Sequence, residues 1–596
     1  MAPEPNPSSS EPDEPPATAA EPERARRRPR FWVLLGAGVL AALLLVIGIV
    51  VTVNVFTAKN ELEAAVPLAS KLESAISHGE DAQAAKLASQ FQQHTSAAAA
   101  AVGTPFYAIG EVIPGLGANL SAIKTVSQAA DDLADNAVVP ASTLSIHELK
   151  ASGGSIDLDA LAEATPILHT AAAAVDSASR RVDAIQTGSL LPQVASAVEK
   201  FNDELNSIQT LTDGLDSSID LLPAALGADE PRTYLLVFQN NAELRALGGN
   251  PAALLEVTVD KGTFTVAKQS DSDDFNHQAN IPISPDIEAV YGSVIGKIIQ
   301  NTTMVPDFPT VGGYAQQFWA ERYGTKVDGV LSFDPVALAG LLKATGPLTL
   351  DTGDTLTTEN AIELLLSTVY DRYRIPADQD AFFAKVASAM FQTVVSGKGS
   401  SFDLMAQFSD SIADHRLLLW SADSGEEAAI TDGGADGALP TDNTQATTVG
   451  AWINDFTFAK MGYYLDAKIA AQPSCGDKPY SITETLTNSA PAGVGVLPPY
   501  VTGPIYLDGV IHTDVVFTGP VGSSLGDISV GGENVAPAGS GMIDGRPVVR
   551  VSVTVPPGTT TTIGATFAPV SGASADLLVR STPMVRDAVV AITPCS

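Results

Sequence analysis

This chain is poor in cysteine, histidine and positive charge. Its 596 residues hold 2 cysteines, 7 histidines and 33 Lys+Arg against 68 Asp+Glu, a formal net charge of -35 at pH 7. Two cysteines far apart in sequence make no zinc site, and the scattered histidines form no pair at metal-ligand spacing. A shortage of basic residues argues against a nucleic-acid partner, because phosphate binding needs a basic surface. The sequence also has no GxGxxG after a strand, no P-loop, no HExxH, no GxSxG and no LPxTG-like sorting signal. The acidity is spread along the chain and reads as a soluble surface kept apart by self-repulsion.

One long uncharged stretch stands out. Phe31 to Phe56 is rich in Leu, Val, Ile, Ala and Gly. As a helix it would extend about 39 Å, enough to cross a hydrocarbon core of roughly 30 Å with some tilt. Arg24, Arg26, Arg27, Arg28 and Arg30 precede it, while the following flank carries Lys59, Glu61 and Glu63. The positive-inside rule then puts the N-terminus in the cytoplasm and the chain beyond about residue 57 outside. A cleaved signal peptide would have a shorter apolar core, so a retained signal anchor over residues 31–57 is the favoured reading. Residues 1–30, dominated at first by Pro, Glu, Ser and Ala, read as a disordered cytoplasmic tail. On the non-reducing side, Cys475 and Cys595 are free to pair; a bridge would stabilise the fold by roughly 4–5 kcal/mol in the chain-entropy model, the alternative being two buried thiols.

The rest divides by texture. Residues 58–225 are Ala-rich with helical periodicity, clearest in Val194, Val198, Phe201, Leu205 and Ile208, and predict a helical bundle standing on the anchor as a stalk. Residues 230–422 alternate strand and helix signals. Strands are expected at Tyr234–Phe238, Ala253–Val259, Thr263–Gln269 and Gly329–Phe333, with a hairpin turn at Asp260–Gly262. Asp334 is a predicted cap for a helix that starts at Pro335. This order argues for an α/β sandwich. Residues 423–448 read as a linker, and residues 449–596 as a β-sandwich with the cysteines near its two ends.

Three clusters carry candidate chemistry. In RTYLLVFQNNAELRALGGN (Arg232–Asn250) an apolar strand meets a polar group of Gln239, Asn240, Asn241, Glu243, Arg245 and Asn250 beside Gly248 and Gly249. Such groups at a strand end build ligand sites in α/β proteins, and also polar knots that tie strand to turn. Asp271, Asp273 and Asp274 offer three hard oxygen donors suited to Mg²⁺ or Ca²⁺, or else a solvated acidic loop. Arg372 and Arg374, near a helix end, are suited to gripping a phosphate or to a surface network with Asp371.

The stretch YLLVFQNNAELRALGG, together with VDGVLSFDPVALAGLLKATGPLTL (Val327–Leu350), NDFTFAKMGYYL (Asn454–Leu465) and PFYAIGEVIPGLGANLSAI (Pro105–Ile123), resembles the actinobacterial membrane-protein family called domain of unknown function 4012. That family has no established activity. The order of pieces is more distantly similar to the LytR-CpsA-Psr envelope enzymes, anchored in the same orientation. This similarity implies a related α/β fold and the transfer of polyprenyl-pyrophosphate-linked glycopolymers to the cell wall, using arginines and Mg²⁺-binding aspartates. The match departs where those enzymes keep phosphate-gripping arginines. Gly248, Gly249 and Asn250 stand where an Arg-Ser-Asp run is expected, and Ser272, Asp273 and Asp274 where a Pro-Arg-Asp run is expected; the late Arg-Gln pair falls near Phe383–Lys385. Arg372 and Arg374 are the best-kept match. Losing those cations removes the stabilisation of pyrophosphate charge. Two readings follow: a single-pass envelope protein that binds or scaffolds at the outer face of the membrane, with a wall glycopolymer or polyprenyl phosphate lipid as partner, or a glycopolymer transferase. They separate on whether Arg245, Asp271–Asp274 and Arg372/Arg374 line one apolar-walled cleft.

Overall fold

In the computed structural model, residues 29–77, 80–144, 152–275, 280–455, 457, 459–491, 497–503 and 509–595 are described. The expected cytoplasmic tail lies, up to residue 28, outside them. The apolar run falls in a helix, Pro29–Ser77, of 49 residues. Among the described residues it is the one helix long and apolar enough to cross a membrane. It does not stop where the apolar run does. About 20 further residues, Pro67 among them, continue into the helical bundle with no intervening loop, so the apolar run and the bundle share one helix.

The bundle adds helices Asp81–Val102, Gly117–Leu133, Leu158–Asp183 and Pro192–Ile219. Their seams are built from small residues. Ala122, Ala129 and Ala178 pack with Val182, Val198 and Leu205, and Ala58 and Ala98 pack with Val102, Tyr107 and Leu120. Small side chains let helix backbones approach closely and still exclude water. Asp157 caps the Leu158 helix by accepting from the Asp159 and Ala160 amides, and Arg180 and Arg181 sit in its last turn, complementing the helix dipole at both ends.

The α/β domain is a five-stranded sheet between two helical layers. Its strands are β1 (Arg232–Arg245), β2 (Gly248–Asp260), β3 (Thr263–Asp271), β4 (Gly329–Phe333) and Leu417–Ser421, in the spatial order β3-β2-β1-β4-(Leu417–Ser421). β1 pairs antiparallel with β2 and parallel with β4. One sheet face, with Leu235, Val237 and Val330, packs on helix Phe308–Tyr323. The other, with Leu236, Leu255 and Val257, turns toward helix Pro376–Val395. The hairpin turn at Lys261–Gly262 has positive φ at both residues, as the sequence signal requires. β1 is longer than its apolar stretch. Register shifts at Phe238/Gln239 and Asn240/Leu244 let the polar residues go on pairing with β2 instead of ending the strand. The expected linker differs too: it contains a helix, Ser424–Asp432, whose Glu426 and Ala429 are buried.

The C-terminal part is a sandwich of a six-stranded and a five-stranded sheet. Cys475 and Cys595 are bridged, with Cα atoms 5.7 Å apart. The bridge holds the last strand, Val589–Ile592, which pairs in parallel with Leu465–Gln472. Strand Tyr480–Asn488 alternates buried and half-buried positions, and the alternation puts Glu484 in the apolar core between Ile482 and Leu486. Its Oε2 has no hydrogen-bond partner among the described residues. Burial pushes the carboxyl up from the usual 4.5 to about 8. The fold therefore holds a proton that the unfolded chain has lost between those two values, so stability falls as pH rises across that window, on the order of 5 kcal/mol in all. Glu484→Gln is expected to remove this slope. Thermal melts of both proteins at pH 5 and pH 8 check it: the wild type should lose more stability than the variant.

Candidate functional site

The polar group at the end of β1 is wholly enclosed. Gln239 donates to Ser332 Oγ (2.7 Å) and accepts from the Gly249 amide (2.7 Å). A Cβ on Gly249 would lie 2.3 Å from the Asn240 carbonyl, so only glycine permits this approach of β1 and β2. Asn240 donates to Tyr370 OH (2.8 Å), and its oxygen accepts from the Ala242 amide (3.0 Å). Asn241 donates to Asp334 Oδ2 (2.9 Å) and to the Pro583 carbonyl (3.1 Å). Asp334, the cap of helix Pro335–Thr345, also pairs with buried Arg416 (2.6 Å), which donates to the Met584 carbonyl (2.6 Å) and to Asp587.

Glu243 forms a buried ion pair with Lys460 and accepts from Asn250 (2.9 Å). Burial works against the Lys460 charge, but Glu243 outweighs it and the ammonium is held above its usual range. Lys460 also lies over the Tyr500 ring, 4.2 Å from its centroid. Arg245 is 1% exposed, donates to the Leu244 carbonyl (3.0 Å), and has its pKa lowered by burial. Asp455 nearby is pushed up to about 6 by burial, with Arg245 opposing the shift. Backbone bonds from Asp455 to Leu244 (2.9 Å) and from Ala246 to Asn454 Oδ1 (2.9 Å) complete the contact. Residues 454–461 and 583–587 belong to the β-sandwich segment, so these interactions join it to the α/β domain. Lys460, Asp334 and Arg416 are essential to this arrangement, and none is a site candidate from sequence. Asp334 and Lys460 lie in segments that carry the family resemblance, but nothing in those segments marks either as a partner of the β1 group, and Arg416 has no motif to flag it.

The other sequence candidates lie elsewhere. Asp271 accepts from the Asp273 and Asp274 amides (2.9 and 3.2 Å), and Asp274 accepts from Ser270 Oγ (2.7 Å) and Tyr323 OH (3.2 Å). These bonds commit Asp271 and Asp274 to the turn after β3. Among the described residues no three carboxylate, imidazole or thiol groups are placed together to hold a metal ion. Asp380 feels these aspartates: burial first, then Asp271 and Asp273, push it up to about 7, with Lys460 opposing. Arg372 is exposed and pairs with Asp354, whose carboxyl it holds below the usual range. Arg374 is exposed on the same helix end. Asn240, Asn241, Glu243, Arg245 and Asn250 are thus brought together; Arg372 and Arg374 are not brought to them.

One large cavity has no signal in the sequence. It has a volume of about 500 Å³ and lies between the sheet and its helices. Leu236, Leu331 and Phe333 form its floor, Met390 and Phe391 one wall, and Leu226 from the chain below the bundle another. Glu426, Ser411 and Ser421 are its polar lining, and Glu426 is held bidentately by Arg232 at 2.9 and 2.8 Å. Arg245, Asp271, Asp273, Asp274, Arg372 and Arg374 do not line it.

Residues 229–370 match the family model described as "Protein of unknown function (DUF4012)". The match runs from β1 through Tyr370 and so contains most of the buried polar group. Nothing among curated proteins or solved structures matches the chain.

Because Lys460 and Glu243 are both buried, removing one partner strands the other's charge. Lys460→Met should destabilise the protein by roughly 3–5 kcal/mol, and adding Glu243→Gln should restore much of it. Arg372→Ala, at a surface pair, should change stability by about 1 kcal/mol or less. Urea denaturation of the four proteins checks both expectations.

Proposed function

We propose that the protein is a single-pass, membrane-anchored binding protein. Its bulk stands at the outer face of the membrane and holds an elongated apolar ligand in the α/β domain. The observation that carries this reading is the cavity. Its volume sits within the roughly 300–1,000 Å³ of ligand pockets, and its walls are almost entirely apolar. The space is partly open to solvent, so an apolar ligand entering it would displace water from apolar walls, which is favourable. At its edge Arg232 pairs with Glu426, and the rest of the lining is almost wholly apolar, so the ligand contributes mainly apolar surface.

The glycopolymer-transferase reading shares the apolar chain with this one but asks for cations beside it. Arg245 is sealed in the polar group, and Arg372 is paired at an exposed helix end. Neither is placed to meet a pyrophosphate at the cavity. Binding or scaffolding is therefore preferred, with a polyprenyl-type lipid as the ligand class that suits an envelope location.

Full-length protein purified in mild detergent should release an apolar lipid on organic extraction, detected by mass spectrometry. Leu331→Trp, which fills the cavity floor, should lose that lipid while keeping the wild-type circular dichroism spectrum. Lipid-free wild-type protein, or equal lipid in a folded Leu331→Trp variant, would overturn the reading. Loss of wall glycopolymer on Arg372→Ala would favour the transferase instead.

A further inference from the structure

Apart from the membrane-spanning helix, the described surface has its densest group of exposed apolar side chains at one end of the bundle. The short helix Pro105–Glu111 and the turn after it expose Phe106, Ile109, Val112, Ile113 and Leu116, with Val112 79% exposed. Leu191, in the turn before helix Pro192–Ile219, joins the same end: its amide donates to Asn119 Oδ1 (2.7 Å) at the start of helix Gly117–Leu133. Exposed patches of this kind on a soluble surface mark a contact.

Three polar groups at this end show the opposite pattern and are paired within the protein. Asn54 donates to Thr104 Oγ1 (2.9 Å), Tyr107 OH donates to the Leu120 carbonyl (3.0 Å), and Glu111 pairs with Lys124 (3.0 Å). Apolar outside and polar paired within is the arrangement demanded by a surrounding that cannot hydrogen-bond.

The patch also has a fixed depth. Val51 and Val55, in the last turns of the apolar run, pack against Tyr107 and Leu120. A Cβ on Gly110 would lie 3.3 Å from Val51 Cγ2, so the short helix rests directly on the span. The first charge after the span, Lys59, is one helical turn, about 6 Å, above Val55. The opposite end of the bundle meets the α/β domain instead, where Ile156 donates to the Gly262 carbonyl (2.9 Å) and Phe264 to that of Gly154 (2.8 Å).

We infer that Pro105–Leu116, with Leu191 beside it, is a second membrane contact that inserts Phe106, Ile109, Val112 and Ile113 into the leaflet on the side of the bulk of the chain. The occupant of the patch is the lipid surface that already surrounds the spanning helix, because the two are continuous through Val51 and Val55. Aromatic and aliphatic side chains on a short interfacial helix are suited to the headgroup–acyl boundary. Two attachments at one end hold the bundle upright and fix the height of the α/β domain above the bilayer.

This inference rests on reading Pro29–Ser77 as membrane-spanning, and the test separates the two. Both native cysteines are bridged, so an introduced cysteine is the only free thiol. Full-length Val112→Cys, Leu45→Cys and Ser70→Cys proteins are spin-labelled and reconstituted in phosphatidylcholine–phosphatidylglycerol vesicles, and collisions with oxygen are compared with those of a water-soluble nickel chelate. The expected oxygen-to-nickel ratio is several-fold higher at Val112 and Leu45 than at Ser70. A Val112 ratio equal to that at Ser70, with Leu45 still lipid-exposed, overturns the second contact alone. A Leu45 label open to nickel overturns the span and the inference with it. A Val112 label shielded from both reagents means that a protein surface covers the patch, and also overturns the inference.

Discussion

Two buried ion pairs, Glu243 with Lys460 and Asp334 with Arg416, are the constraint on which the outer part of the molecule depends. Each takes its acid from the α/β domain. The first reaches the β-sandwich directly through Lys460. The second does so through the Arg416 bonds to Met584 and Asp587. A charge this deep is tolerated only while its partner is in place, so separating the two domains would strand Glu243 and Lys460, while Arg416 would keep Asp334 and lose its bonds to Met584 and Asp587. The pairs therefore act less as a source of net stability than as a condition on geometry: the domains dock in this register or not at all. The asparagines and Gln239 complete the condition by using the backbone groups that the bulged β1 leaves without ladder partners.

That constraint explains why the end of β1 looks like a site in the sequence. Polar residues after an apolar strand, beside two glycines, are what a ligand pocket and an interdomain joint both require, and residue types alone do not separate them. What separates them is Lys460, some two hundred positions away, and Asp334, recognisable locally only as a helix cap. The features legible in the sequence are those set by neighbours along the chain: the apolar run that ends at Phe56, the DKG turn between β2 and β3, the Asp334–Pro335 helix start and the period of Val194 to Leu205. The short helix at Ala361–Glu363 passes into a π-helical turn over Leu364–Thr368 that no local signal announces.

The cavity is invisible in the sequence for a related reason. Tyr234, Leu236, Leu331 and Phe333 lie on one sheet face, and Leu235, Val237 and Val330 on the other; both sets read as core. No alternation distinguishes a face pressed against a helix from one that leaves room for a guest. The difference comes from how far Pro376–Val395, Ser401–Ala413 and Ser424–Asp432 stand from the strands, which is a tertiary property. The Ser424 helix is itself concealed by composition, because its Gly, Asp and Glu content resembles a linker although Glu426 is buried against Arg232 and Ser421.

A chain of contacts links the apolar helix to the cavity. Helix Pro29–Ser77 continues into the bundle with Pro67 inside it, and the far end of the bundle is stitched to the β2–β3 turn by Ile156–Gly262, Lys261–Gly227 and Gly262–Leu226 bonds. Leu226 is both a bonding partner in that seam and part of the cavity wall. A tilt of the bundle at the membrane would therefore be felt at the cavity wall directly, through a few backbone hydrogen bonds and one packed side chain.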